Sequence, residues 1–80
     1  MNENLSIDDK SILMSFGLSL KKIRLKKNLS QEELAYKSNL HRTYISSVER
    51  GERNISLINI VHISKALEIP LYELLEEVQQ

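Results

Sequence analysis

The chain has 80 residues, with eleven basic side chains, eleven acidic side chains and no cysteine. The lack of cysteine excludes a disulfide framework and a zinc site built on thiolates, so packing in a single core has to stabilise one domain. The formal charge of zero argues against nucleic acid as a partner, but nine Lys or Arg against four Glu between residues 21 and 53 give that segment +5 and leave −5 for the rest.

The first predicted element is a long helix from Asp9 to Lys27, with Asp8 or Asp9 as its cap. Apolar residues recur at intervals of three and four here and throughout the chain, which predicts an all-α fold. One face of this helix is expected to carry the apolar residues Ile12, Leu13, Phe16, Leu20 and Ile23. The opposite face is expected to expose, to either phosphate or solvent, the basic residues Lys21, Lys22, Arg24, Lys26 and Lys27.

A short second helix is predicted after this basic segment. Ser30 followed by Glu33 is the pattern of a reciprocal capping box, and the helix is expected to end at Lys37 or Ser38. Asn39 tolerates the left-handed backbone that a tight turn between helices requires. The sequence therefore predicts a turn that leads directly into another helix.

The third predicted helix begins at His41 or Arg42 and ends near Arg50, where Gly51 suits a left-handed cap. Two short helices joined in this way form a helix-turn-helix unit, whose later helix enters the major groove of DNA. Arg42 can donate two hydrogen bonds to one guanine, which makes it the strongest candidate for reading a base. Arg50 is expected, with Glu49, to face the core side at the end of the helix and to serve in a structural ion pair and cap.

Two further helices complete the predicted five-helix domain. The fourth is expected from Ser56 to Leu67, and Pro70 suits the first position of a fifth helix that extends to Val78. No linker or repeat interrupts the series. We predict a single helix-turn-helix domain over residues 1–80, with residues 1–7 flexible.

Several short motifs in the middle of the chain are recognisable. S-Q-E-E-L-A at residues 30–35 and Y-I-S-S-V-E-R-G at residues 44–51 resemble the lambda repressor and Cro (Xre-type) family, and the resemblance covers about residues 20–75. L-A-Y-K-S-N-L at residues 34–40, R-T-Y-I-S at residues 42–46 and E-R-G-E-R-N-I-S at residues 49–56 resemble the controller proteins of restriction-modification systems. The resemblance implies a compact five-helix lambda-repressor-like fold and a sequence-specific transcriptional regulator.

The resemblance also implies roles for individual residues. The residues expected to read bases are Arg42, Thr43, Ser46 and Ser47. The residues expected to contact the DNA backbone are Gln31, Lys37, Tyr44, Arg53 and Asn54. Glu32 matches an acidic residue with which activating relatives contact RNA polymerase. His41 replaces the acidic residue expected before the R-T-Y run, so the preferred operator is expected to differ.

A homodimer is implied by the same resemblance. In controller proteins the end of the fourth helix and the fifth helix form a two-fold interface, which corresponds here to residues 66–80. The expected interface residues are Ile69, Leu71, Tyr72, Leu75 and Val78. Two recognition helices ~34 Å apart would then read a palindromic operator. Two dimers on neighbouring operators would first activate and then repress the protein's own promoter.

Other functions find little support in the residues. His41 and His62 lack the further ligands that zinc needs, no Ser, His and acid motif occurs, and no glycine-rich loop could hold a nucleotide, so we expect no metal, cofactor or enzymatic activity. We also expect no small-molecule ligand, because 80 residues leave no room for a second domain that would hold one. Without an apolar run of ~18 residues or a signal-peptide pattern, a cytoplasmic protein with no membrane contact is expected. The open alternative is an antitoxin or phage-type repressor whose main partner is another protein.

Overall fold

The computed structural model describes residues 5–78, and five helices lie within this range. They are α1 (Ile7–Lys26), α2 (Gln31–Ser38), α3 (Arg42–Glu49), α4 (Leu57–Leu67) and α5 (Leu71–Leu75). The predicted all-α, five-helix fold is confirmed. Of the segment 1–7 that was predicted to be flexible, residues 1–4 lie outside the described range, as do residues 79–80 of the predicted interface segment.

Helix α1 begins two residues earlier than predicted, because Ser6 and not Asp8 or Asp9 is its N-cap. The Ser6 hydroxyl accepts a hydrogen bond from the Asp9 backbone N–H at 3.0 Å, and the Asp9 carboxylate accepts one from the Ser6 N–H at 3.2 Å. Asp9 is therefore the third helical residue of a capping box. The prediction named Asp8 or Asp9 as the cap, whereas Asp9 is the residue whose side chain bonds back to the Ser6 cap.

The hydrophobic core draws on all five helices. Its buried members are Phe16, Leu20, Leu34, Ala35, Ile45, Val48, Ile63, Leu67 and Leu74. Ile23 is partly buried and packs against this core, as the predicted apolar face of α1 requires. Ile12 is exposed, however, and no described residue before Phe16 is buried, because the neighbouring helices cover α1 only from that point onward.

The connection between α2 and α3 follows the sequence prediction closely. Ser30 and Glu33 exchange the two hydrogen bonds of a capping box, at 3.0 Å and 2.7 Å. The bond that the Ser30 backbone N–H donates to the ionised carboxylate is the main reason why the pKa of Glu33 lies below its usual value. Asn39 adopts the left-handed conformation with φ of 58°, and the predicted turn is confirmed.

Helices α4 and α5 are confirmed, with different bounds for α5. The Ser56 hydroxyl accepts from the Asn59 N–H at 3.1 Å, so Ser56, predicted as the start of the fourth helix, is the N-cap of α4. Pro70 is the N-cap of α5 and not its first helical residue, because its ψ of 148° is extended. Helix α5 ends at Leu75, three residues before the predicted end at Val78.

Both glycines of the chain lie where α1 meets the end of α3. A β-carbon on Gly17 would lie 2.5 Å from the carbonyl oxygens of Val48 and Glu49, so only glycine allows this approach of the two helices. Gly51 has a φ of +74°, as its predicted role in a left-handed cap requires, and a β-carbon there would lie 2.7 Å from Met14 Cγ. Close backbone contact therefore fixes the position of α3 on α1.

Candidate nucleic-acid interface

Helix α3 has one buried face and one face open to solvent. Ile45 and Val48 are buried, whereas Arg42 and Thr43 at the start of the helix are exposed. Within residues 5–78, no hydrogen bond or ion pair occupies the Arg42 guanidinium. The first turn of α3 thus presents a free cation and a free hydroxyl away from the core.

The two serines of α3 are half-buried and already take part in hydrogen bonds. Ser47 Oγ donates to the Tyr44 carbonyl oxygen at 2.9 Å, one turn back in the helix. Ser46 Oγ accepts from Arg50 Nη1. The Ser47 hydroxyl therefore has its proton committed and its lone pairs free, while the Ser46 hydroxyl keeps a proton that can be donated.

Arg50 is the C-cap of α3 and forms an ion pair as predicted, but the expectation that it faces the core is wrong. Arg50 is exposed and pairs with Glu52, with Nη2 and Oε1 3.1 Å apart, and this carboxylate raises the pKa of Arg50. The helix ends at Glu49, so the side chain of Arg50 at the C-cap projects outward. Glu49 is buried and has a different partner.

The partner of Glu49 is Arg24, which the sequence placed on the exposed basic face of α1. Arg24 Nε and Nη2 donate to the two Glu49 carboxylate oxygens at 2.7 Å and 3.1 Å, and the side chains are only 7% and 3% exposed. Arg24 Nη1 also donates to the Leu29 carbonyl oxygen at 2.7 Å. The signal was present in the spacing, because Arg24 follows Phe16 and Leu20 at intervals of four on the buried face of α1.

Gln31, the first residue of α2, extends this buried network toward the surface. Its Nε2 donates to Glu49 Oε1 at 3.0 Å, and its side chain is half-buried. The other residues predicted to contact the backbone from α2 and from the loop after α3, namely Lys37, Arg53 and Asn54, are exposed. Glu32, the predicted polymerase contact, is exposed as well.

Tyr44 connects α3 to the loop that follows it and to α4. Its hydroxyl accepts from Asn59 Nδ2 at 3.0 Å, and the Arg53 guanidinium carbon lies 4.9 Å from the centre of its ring, within cation–π range. Sequence reasoning did not identify Asn59, since nothing in the local pattern of α4 relates it to a tyrosine fifteen residues earlier. A shallow groove lies beside Tyr44 and Arg53. Its lining residues are Asn39, Leu40, His41, Thr43, Tyr44, Ser47, Glu52 and Arg53.

The predicted dimer residues differ in exposure. Tyr72 and Leu75 are 65% and 40% exposed. The remaining three, Ile69, Leu71 and Val78, are partly buried, and Ile69 and Val78 pack against the core. Two further apolar side chains that were not predicted, Leu57 and Ile58 at the start of α4, are 67% and 69% exposed.

Other kinds of site find no support in the described residues. Within residues 5–78 no group of three or more His, Asp or Glu side chains is placed to hold a metal ion. None of the helices in that range has both the length and the apolar character needed to cross a membrane. His62 is exposed on α4.

Comparison with known proteins gives consistent relatives. A family model described as helix-turn-helix matches residues 20–74. The control protein C.BamHI of Bacillus amyloliquefaciens is 54% identical over 82% of this chain and 83% of its own. The crystal structure of the restriction-modification controller protein C.AhdI of Aeromonas hydrophila is 50% identical, covers 78% of this chain and 94% of its own, and superposes with a TM-score of 0.77. The controller protein C.Esp1396I, solved as a tetramer in complex with its natural 35-base-pair operator, is 44% identical over 86% of this chain and 96% of its own, with a TM-score of 0.76.

Proposed function

Because the chain belongs to the helix-turn-helix family and to the controller proteins within it, we propose that it regulates a restriction-modification system. It is a sequence-specific DNA-binding regulator of transcription, and its family consists of regulators and not of enzymes. The observation that carries this proposal is the exposed start of α3, where Arg42 and Thr43 project from a helix fixed on its other face. In our proposal that face of α3 enters the major groove of DNA.

Base recognition is assigned to four residues of α3. Arg42 donates two hydrogen bonds to O6 and N7 of a guanine, and Thr43 contacts a neighbouring base through its methyl or hydroxyl group. Ser47, whose proton is bonded to the Tyr44 carbonyl, accepts from adenine N6 or cytosine N4. Ser46, which accepts from Arg50, donates to a base acceptor such as guanine N7.

Contacts to the DNA backbone provide affinity and register but not sequence preference. We assign them to residues at the start and end of α2, in α3 and in the loop after α3, namely Gln31, Lys37, Tyr44, Arg53 and Asn54. Each cation that neutralises a phosphate releases counterions, so affinity is expected to fall steeply as salt rises. The concentration of positive charge between residues 21 and 53 supports this assignment.

The binding species in this proposal is a homodimer that reads a palindromic operator in the promoter of its own gene. The partly open apolar face formed by Ile69, Leu71, Tyr72, Leu75 and Val78 makes the two-fold contact. Two dimers on adjacent operators activate and then repress transcription, and Glu32 contacts RNA polymerase during activation. The tetrameric operator complex of C.Esp1396I supports assembly on DNA, and the place of action is the cytoplasm.

A competition gel-shift experiment tests this function. The protein is titrated onto DNA from upstream of its own gene in the presence of excess random DNA. The variants Arg42→Ala and Lys10→Ala each remove one positive charge, but Lys10, in the first turn of α1, is not among the residues assigned to DNA contact. We expect Arg42→Ala to lower the ratio of operator affinity to random-DNA affinity by about tenfold or more, and Lys10→Ala to leave it unchanged. An unchanged ratio in Arg42→Ala would show that α3 does not read the operator through this residue.

A further inference from the structure

A single carboxylate oxygen connects the buried ion pair to the surface of α2. Glu49 Oε1 accepts from Arg24 Nη2 at 3.1 Å and from Gln31 Nε2 at 3.0 Å. The carboxylate is almost completely buried, whereas the Gln31 amide is half-buried and its residue starts α2. The orientation of the Gln31 amide is thus set from the interior by a group that is almost completely buried.

We infer that Glu49 is a positioning residue, which makes the Gln31 amide present an N–H and not its carbonyl oxygen to the DNA backbone. This inference rests on the proposed function, in which Gln31 contacts a phosphate. An ionised carboxylate can only accept, so the amide NH₂ group has to face Glu49, and one of its two N–H bonds is used there. The second N–H on the same nitrogen remains to donate to a phosphate oxygen.

The opposite orientation would oppose DNA binding. If the amide rotated by 180°, its carbonyl oxygen would take the place of the NH₂ group, and two acceptors would face each other at Glu49. A residue at 49 that could both donate and accept would allow both orientations. The acceptor-only carboxylate therefore selects the orientation that suits an anionic partner.

Arg24 holds the carboxylate itself in one position. Its guanidinium bonds both oxygens of Glu49 and also bonds the Leu29 carbonyl, in the loop just before α2. Helix α1, the start of α2 and the end of α3 are therefore tied to the same pair of charges. A side chain ordered in this way before DNA arrives loses less entropy on binding.

A double-mutant cycle measures the coupling between the two residues. Gln31→Met keeps the length of the side chain without its hydrogen bonds, and Glu49→Gln keeps the shape of the carboxylate but can donate as well as accept. Each is expected to lower operator affinity about tenfold, the usual size of one hydrogen bond to a charged group. Because both changes remove the same contact, the double variant should also lose about tenfold and not about a hundredfold.

The salt dependence of binding separates positioning from general damage to the fold. Neither Gln31 nor Glu49 is a cation that neutralises a phosphate, so neither variant should change the slope of log affinity against log salt, whereas Arg53→Ala should reduce it. Losses that multiply in the double variant, or wild-type affinity in folded Glu49→Gln, would overturn the inference. Wild-type protein that fails to prefer operator over random DNA would instead overturn the proposed function.

A measurement on the unaltered chain covers the case in which Glu49→Gln does not fold. In the NMR spectrum of the wild-type protein, one side-chain amide proton of Gln31 should be protected from exchange with solvent by Glu49. Addition of operator DNA should shift mainly the other proton. Equal, rapid exchange of both protons in the free protein would refute the inference, independently of any variant.

Discussion

Two regions of the molecule differ in whether their side chains find partners within one chain. They are the contact between α1 and α3 and the outer surface of α4 and α5. The first has a helix approach that only Gly17 allows and a buried ion pair whose hydrogen bonds are internal. The second leaves Leu57, Ile58 and Tyr72 each more than half exposed. The recognition helix is therefore positioned without help from another molecule, while the surface of α4 and α5 still has apolar area to bury.

The largest effect on stability is expected from Arg24→Met, which leaves the Glu49 carboxylate buried without its partner. Loss of one member of a buried pair typically costs about 3–5 kcal/mol. Urea unfolding followed by circular dichroism measures this cost. The double variant Arg24→Met with Glu49→Leu is the control, because replacing both charges should restore much of the stability. A double variant as unstable as Arg24→Met would show that the ion pair is not the cause.

Gly17→Ala is expected to destabilise the same contact by about 2–3 kcal/mol, because the new methyl group would overlap the carbonyl oxygens at the end of α3. Helix propensity alone predicts the opposite sign, since alanine in a helix is favoured over glycine by ~1 kcal/mol. Thermal and urea unfolding give the sign directly. Lys21→Ala, at an exposed position of α1, should change little, and a stabilised Gly17→Ala would disprove the close approach.

Ser30→Ala removes the cap of α2 and is expected to cost about 1 kcal/mol. It should also change the dependence on pH in part, because the backbone N–H of residue 30, the main cause of the lowered pKa of Glu33, remains and only the smaller contribution of the Ser30 hydroxyl is lost. That contribution is present above the unfolded-state pKa of Glu33 and is lost as pH falls through the lower folded-state pKa. Stability curves between pH 7 and pH 2 test this expectation.

The matched control for this variant is Ser56→Ala. Ser56 caps α4 through the Asn59 N–H, but the third residue of that helix is not acidic. It should lose a similar amount of stability at pH 7 without the additional change in acid. Identical pH profiles for the two variants would contradict the role assigned to Glu33.

Leu75→Glu is expected to have the smallest effect on the folding of the single chain and a decisive one on assembly. Leu75 is already 40% exposed, so the folded monomer loses little, within ~0.5 kcal/mol. A charge in an apolar interface should nevertheless yield monomers in sedimentation equilibrium, with weaker operator binding. Leu57→Glu tests the other exposed apolar region. If dimers persist in Leu75→Glu but not in Leu57→Glu, the interface lies at the start of α4 and not at α5.

Local signals in the sequence predicted the local features of the fold. The capping box at Ser30, the left-handed turn at Asn39 and the cap at Gly51 each depend on a few adjacent residues, and each was found in the structure. The cap at Ser6 was missed although its pattern is of the same kind, because two aspartates offered competing caps. Short-range chemistry is therefore readable from the chain when one residue clearly satisfies it.

Contacts between distant segments could not be predicted from the sequence. The burial of Arg24 depends on its ion pair with Glu49, which is twenty-five residues away. The hydroxyl of Tyr44 accepts its hydrogen bond from Asn59, fifteen residues away. A basic residue among four other cations reads as exposed unless its partner is known. The positions of the predicted DNA-contacting residues followed from the motif, but the network that orders Gln31 required the packed helices.

The division of α3 into a bonded inner face and an open outer face also bears on how such regulators diversify. Ile45, Val48 and Glu49 anchor the helix, while the four residues assigned to base recognition contribute nothing to the hydrophobic core. Their side chains can be exchanged without rebuilding the scaffold. A new operator preference can therefore arise by substitutions on one helical face, and grafting such a face between relatives is a direct route to engineered specificity.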